Sequence, residues 1–186
     1  MKQFIFVIGT FLSIQLSMAQ VEVEGVQLPE TAVIQEQEFV LNGAGVRSKY
    51  FMDLYVGSLF LPSKESNPQR IIDANGRMMI QLDIISGLIT SEKMTNAIND
   101  GFKKSLRTIS EDVSSEIRAF KNVFHEEIKK GDNFQFLYLP EKGIQVFKNG
   151  NELSSIEGLS FKKALFGIWL GNEPADKKLK KKMIGN

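Results

Sequence analysis

Apolar and polar positions change their spacing along the chain, and the changes divide it into elements. Residues 31–41 set Val33, Ile34, Phe39 and Val40 among glutamines and glutamates, a β-prone pattern. Asn42, Gly43, Ala44 and Gly45 predict a turn after it, because Asn and Gly accept backbone conformations that other residues resist. A second β-run over 50–61 stops at Pro62 and Ser63, so the two runs read as an antiparallel hairpin around the glycines. Asn67 and Pro68 open a short helix through Ile71 and Ile72 that ends near Asn75 and Gly76. Residues 77–85 read as a strand.

The period then lengthens. Thr90 or Ser91 caps a helix in which Met94, Ile98, Phe102 and Leu106 recur every four residues, with Ala97 and Ile109 widening the same face. Val113, Ile117, Phe120 and Phe124 predict a second helix, with Gly131 as its stop. Strands follow at 134–139 and 144–147, and Asn149-Gly150 is the strongest hairpin signal in the chain, with 153–156 as the return strand. Phe161, Ala164, Leu165, Ile168 and Trp169 mark one face of a last helix closed by Gly171 and Pro174, with Trp169 read as core. The tail from Asp176, with Lys177, Lys178, Lys180, Lys181 and Lys182, reads as solvated, with a weak contact to an anionic surface as its functional option. Hairpin-linked strands with helices grouped in the middle and at the end predict an α+β fold: an antiparallel sheet with helices on one face.

Composition narrows the chemistry. A chain of 186 residues with 42% apolar residues and 14 Phe is the size of one domain with a sizeable core. Lys and Arg number 23 against 22 Asp and Glu, so the basic excess a nucleic-acid binder needs is missing. Cysteine is absent and His125 is the single histidine, which removes thiolate and multi-histidine metal centres. No metal or cofactor is expected. His125, beside Phe124, Glu126 and Glu127, reads as an exposed and inert position on a helix surface.

Residues 1–19 carry Lys2, an apolar run and then small residues at Ser17 and Ala19, the layout of a secretory signal peptide. The apolar run is short for a bilayer span, which needs ~20 residues. Cleavage after Ala19 leaves a domain over 20–186, expected in the periplasm or outside the cell, with no segment able to cross a membrane. Asn42 to Arg47 imitates a dinucleotide loop but fails as one, since Ser48 takes the place of the third glycine and a strand follows instead of a helix. Arg47 itself enters an apolar strand with Tyr50, Phe51 and Tyr55 behind it. Burying a guanidinium without an anion is costly. Either a protein carboxylate such as Asp53 or Glu38 pairs with it, or a ligand does.

Three segments together resemble the chalcone isomerase-like family: GAGVR at 43–47 leading into LYVGSLFL at 54–61, ISGLITSEKM at 85–94, and GLSFKKALFGIWLG at 158–171 followed by Pro174. The resemblance implies an open-faced sandwich, a large antiparallel sheet with helices packed on one face and a ligand cleft between them. It also implies flavonoid cyclases, non-catalytic proteins or fatty-acid-binding proteins as relatives. The family's arginine is matched by Arg47. Where cyclases carry Thr, Lys, Tyr, Asn and a late polar helix residue, this chain has Tyr55, Gln81, Thr90, Ala97 and Ile168. Cyclisation needs preorganised donors for the developing enolate, and removing one such donor typically costs ~100-fold or more in rate. The expectation is therefore a binding protein for a fatty acid or similar amphiphilic carboxylate. Arg47 and Tyr55 would hold the head, and Thr90, Ala97 and Ile168 would line the walls. The alternatives are an isomerase of the intramolecular-lyase type working through Arg47 and Tyr55, and an envelope interaction module using the lysine tail.

Overall fold

A computed structural model describes residues 20–109 and 111–186, so the signal-peptide reading of 1–19 lies outside the described residues. Among the described residues nine strands and five α-helices follow one another, and the fold is α+β as predicted. Strands β1 (Gln20–Val23) and β2 (Val26–Pro29) form a separate hairpin. Strands β3 (Thr31–Ile34), β4 (Gln37–Lys49), β5 (Met52–Leu61), β6 (Met78–Ile84), β7 (Asn133–Leu139), β8 (Gly143–Lys148) and β9 (Asn151–Ile156) pair with their chain neighbours in one curled antiparallel sheet. The long excursion from β6 to β7 carries α2 (Ser91–Ser105) and α3 (Ser114–Asn122), while α1 (Pro68–Asp73) joins β5 to β6. Helices α4 (Leu159–Leu170) and α5 (Lys177–Met183) follow the sheet.

Period-two alternation sorts each strand between two cores. Tyr55, Leu59, Ile80, Leu82, Phe134 and Phe136 face the helices. Val56, Phe60, Met79 and Leu137 face the other way, where the β1–β2 hairpin adds Leu28. Phe120 of α3 sits among Phe102, Phe124, Phe136 and Phe161, with ring centroids 5.3–6.0 Å apart. Helix α2 begins as its sequence predicts: the Thr90 hydroxyl accepts from the Lys93 N–H, and Glu92 stands in the positive first turn. Helix α4 is apolar nearly all round because it is buried between the sheet and its neighbouring helices.

Four expectations change. The glycines at 43 and 45 do not turn the chain: β4 runs straight through them, and its partner Gly57 lies opposite Gly45. Their role is close approach. A Cβ on Gly43 would stand 2.0 Å from the Lys182 carbonyl oxygen, and one on Gly45 2.7 Å from the Lys182 Cβ. The lysine-rich segment is thus not a solvated tail. Asp176 caps it as α5, and Leu179 and Met183 are buried against β4 and β5 while Lys177, Lys178, Lys181 and Lys182 stay exposed. The actual β4–β5 turn is Tyr50 and Phe51, and the 31–41 run is itself folded back at Gln35 and Glu36. Helix α3 ends at Asn122, so His125 lies in the following loop, exposed, its Nδ1 2.7 Å from the Asn122 carbonyl oxygen.

Space alone forbids a side chain at 43, since its φ is not left-handed. Gly43→Ala is expected to destabilise the fold by about 2 kcal/mol through displacement of α5. Gly76→Ala, where a Cβ meets nothing within 4 Å, should stay within about 0.5 kcal/mol. Urea unfolding of the two variants checks the contrast.

Candidate functional site

Arg47 and Tyr55 face each other across the β4–β5 ladder, just before the pairing slips so that Ser48 opposes Asp53. The slip leaves Leu54 as an extra residue, a bulge that re-aims it toward the helix side of the sheet, where it packs on the main core. The Arg47 guanidinium lies over the Tyr55 ring, 5.6 Å from its centroid, and donates from Nη1 to the phenol oxygen at 3.3 Å. From the far side the Trp169 indole N–H of α4 donates to the same oxygen at 2.9 Å. Tyr55 is 2% exposed and Trp169 3%. With both contacts accepted, the phenol retains its own proton for a further acceptor.

Neither carboxylate considered as a partner takes the arginine. Asp53 accepts from the Ser48 hydroxyl at 2.6 Å instead, and no ion pair reaches Arg47 among the described residues. The contrast with Lys162 is informative. That lysine is fully buried, and burial pushes its pKa down to about 7. Its ammonium nevertheless donates to the carbonyls of Ile71, Ile72 and Ala74 at 2.7–3.0 Å, at the end of α1. Lys162 is satisfied by the fold. Arg47, half-buried with one hydrogen bond to a neutral phenol, has donors left over.

Those donors border a cavity of about 350 Å³ between the β4–β5 hairpin and the start of α2. The size lies within the ~300–1,000 Å³ of small-molecule sites. Leu54, Ile89, Met94 and Ala97 give it an apolar wall; Lys93, Asn96 and Asp100 stand along α2. The opening lies where Lys49, Tyr50, Met52 and Leu88 are exposed. A second hollow of about 260 Å³ between α1, α2 and α4 is lined by charges that already pair with one another: Lys163 with Asp73 at 3.2 Å and Arg107 with Glu173.

The structure brings Arg47, Tyr55 and Ala97 together around the cavity. Thr90 and Ile168 stand elsewhere. The Thr90 hydroxyl is spent on capping α2. Ile168 fills the α2–α4 contact, where a Cβ on Gly101 would lie 2.7 Å from its Cγ2. Gln81 points to the opposite face of the sheet, where it accepts from Gln135 at 3.0 Å and donates to Asp83 at 2.9 Å. Trp169 is core as its periodicity implies, and it also fixes the phenol. A buried indole N–H needs an acceptor, which is the sequence signal that a polar partner lay opposite it. Leu88, Ile89 and Met94 belong to the cavity too, and they sit inside the 85–94 segment that carried the family resemblance.

The chain belongs to the chalcone isomerase-like family, whose sequence model matches residues 20–185. No curated protein matches the sequence. Among solved structures the fold is similar to that of a fatty-acid binding protein of Arabidopsis thaliana, with a TM-score of 0.72 and 18% identity over 89% of this chain and 96% of that one. The likeness is one of fold: a curled seven-stranded antiparallel sheet with helices packed on it.

Tyr55→Phe deletes the acceptor shared by Arg47 and Trp169 and leaves a buried indole N–H unpaired. It is expected to destabilise the protein by about 2 kcal/mol, read by urea unfolding followed through Trp169 fluorescence.

Proposed function

We propose that the protein binds an amphiphilic carboxylate of the fatty-acid class and does so without transforming it. One observation carries the reading: a half-buried guanidinium with no carboxylate partner, laid on a buried phenol at the edge of an apolar cavity. The ligand carboxylate would take the free Arg47 donors and the Tyr55 proton, since guanidinium and carboxylate match as charged hydrogen-bonding groups. The chain of the ligand would run along Leu54, Ile89, Met94 and Ala97. Each buried methylene contributes ~0.8 kcal/mol, so the tail supplies most of the affinity and the head sets the orientation. The fatty-acid binding protein of similar fold supports the same ligand class.

Catalysis by the cyclase route has little support in this cavity. Of the positions where cyclases carry polar groups, Gln81 faces away from the cavity, Ala97 offers it no donor, and the Thr90 hydroxyl caps α2. Export is part of the proposal: the 1–19 segment would be removed and the carrier would work outside the cytoplasm.

Arg47→Leu is expected to weaken dodecanoate binding about thirtyfold in calorimetry while circular dichroism keeps the native spectrum. Global unfolding of the variant, or unchanged affinity, contradicts the role given to Arg47. Wild-type turnover of a chalcone, abolished by the same substitution, would replace the carrier with an isomerase. Intact-mass analysis of the protein recovered from its own cells should find a chain beginning at Gln20.

A further inference from the structure

Three hairpins of the main sheet turn on two residues in the left-handed region: Gln35 with Glu36, Asn149 with Gly150, and Tyr50 with Phe51. The first two pairs are polar or contain glycine. The third places aromatic residues at φ 51° and 65°, where bulky side chains are disfavoured. It also leaves them in water: Tyr50 is 78% exposed and Phe51 fully so. Met52 and Leu88 are exposed beside the same opening, at 41% and 47%. Backbone strain and apolar exposure therefore coincide at the one tight turn that borders the cavity.

Charge flanks the patch. The Lys49 ammonium lies 5.4 Å from the Tyr50 ring centroid, and Lys93 stands across the opening on α2. Of the nearby acids, Asp53 is engaged by Ser48 and Asp100 lies 3.9 Å from Lys103, while Glu92 adjoins Lys93 in the first turn of α2. We propose that Tyr50, Phe51, Met52 and Leu88, flanked by Lys49 and Lys93, seat the cavity opening on a lipid membrane bearing anionic headgroups.

The occupant follows from the shape and the chemistry. A stable protein partner usually covers ~800 Å² on each side, and a patch of four side chains, three on the hairpin tip and Leu88 on the loop before α2, presents no such face. A bilayer demands no complementary surface. It accepts aromatic side chains at headgroup depth and draws lysines to its negative potential. The inference rests on the carrier reading in one respect: an amphiphile leaving a bilayer would enter the cavity directly beneath the tip without crossing water.

Flotation of the purified protein with vesicles tests it. Vesicles of phosphatidylcholine mixed with phosphatidylglycerol should carry the wild type, and vesicles of phosphatidylcholine alone should carry less. Phe51→Gly should weaken flotation about tenfold, the loss of one apolar ring at the interface. The same variant should raise the urea midpoint, since glycine suits the left-handed position. Dodecanoate binding in solution should be unchanged in Phe51→Gly, which separates failure of docking from failure of the carrier reading. Phe51→Trp should float like the wild type and show a blue-shifted emission on vesicles. Absence of wild-type flotation, equal flotation on both compositions, equal flotation of Phe51→Gly, or a lowered midpoint in that variant would each overturn the proposal.

Discussion

A guanidinium resting on a phenol that an indole holds from behind is the interaction on which the site depends. Arg47 comes from β4, Tyr55 from β5 and Trp169 from α4, so one oxygen atom ties two strands of the sheet to the helix layer above them. The arrangement is stable because the phenol can accept twice and still donate once. It is incomplete because the cation has no counter-charge within the described chain. A structural arginine is normally completed by a carboxylate, as Lys163 is by Asp73 here. An arginine left open beside an apolar cavity is instead arranged for a charge that arrives from outside.

The rest of the architecture keeps that opening in place. The bulge at Leu54 turns an extra apolar side chain toward the helices at the point where Arg47 and Tyr55 pair. Thr90 starts α2 where the apolar wall of the cavity is needed, and Gly101 lets α4 lie close enough for Trp169 to reach the phenol oxygen. On the neighbouring part of the same hairpin, Gly43, Gly45 and Gly57 clear the sheet surface for α5. The glycines that looked like a turn in the sequence are therefore the seat of a C-terminal helix.

Elements governed by local chemistry were legible in the sequence. Asn149-Gly150 forms the hairpin its residues require, Thr90 caps α2, and Gly171 closes α4. Elements governed by distant packing were not. Glycine signals both a turn and a close approach, and only the docking of α5 distinguishes them at 43 and 45. The Lys-rich segment looked solvated because five of its seven helical residues are charged, yet Leu179 and Met183 are enough to bury one side of it. The β1–β2 hairpin left no pattern strong enough to read in four-residue strands. Of the site, Arg47 stood out as a cation entering an apolar strand, Tyr55 and Ala97 came through the family resemblance, and the contact between Arg47 and Tyr55 emerged only in the fold. Thr90 and Ile168 aligned with family positions but serve a cap and a helix contact here, because the start of α2 and its packing against α4 set where those side chains point.

The most direct test is a crystal structure of the protein grown with dodecanoate. The account predicts the carboxylate within hydrogen-bond distance of both the Arg47 guanidinium and the Tyr55 oxygen, with the alkyl chain against Leu54, Ile89 and Met94. A ligand bound elsewhere, or one whose carboxylate faces solvent while Arg47 pairs with a protein carboxylate, would contradict it.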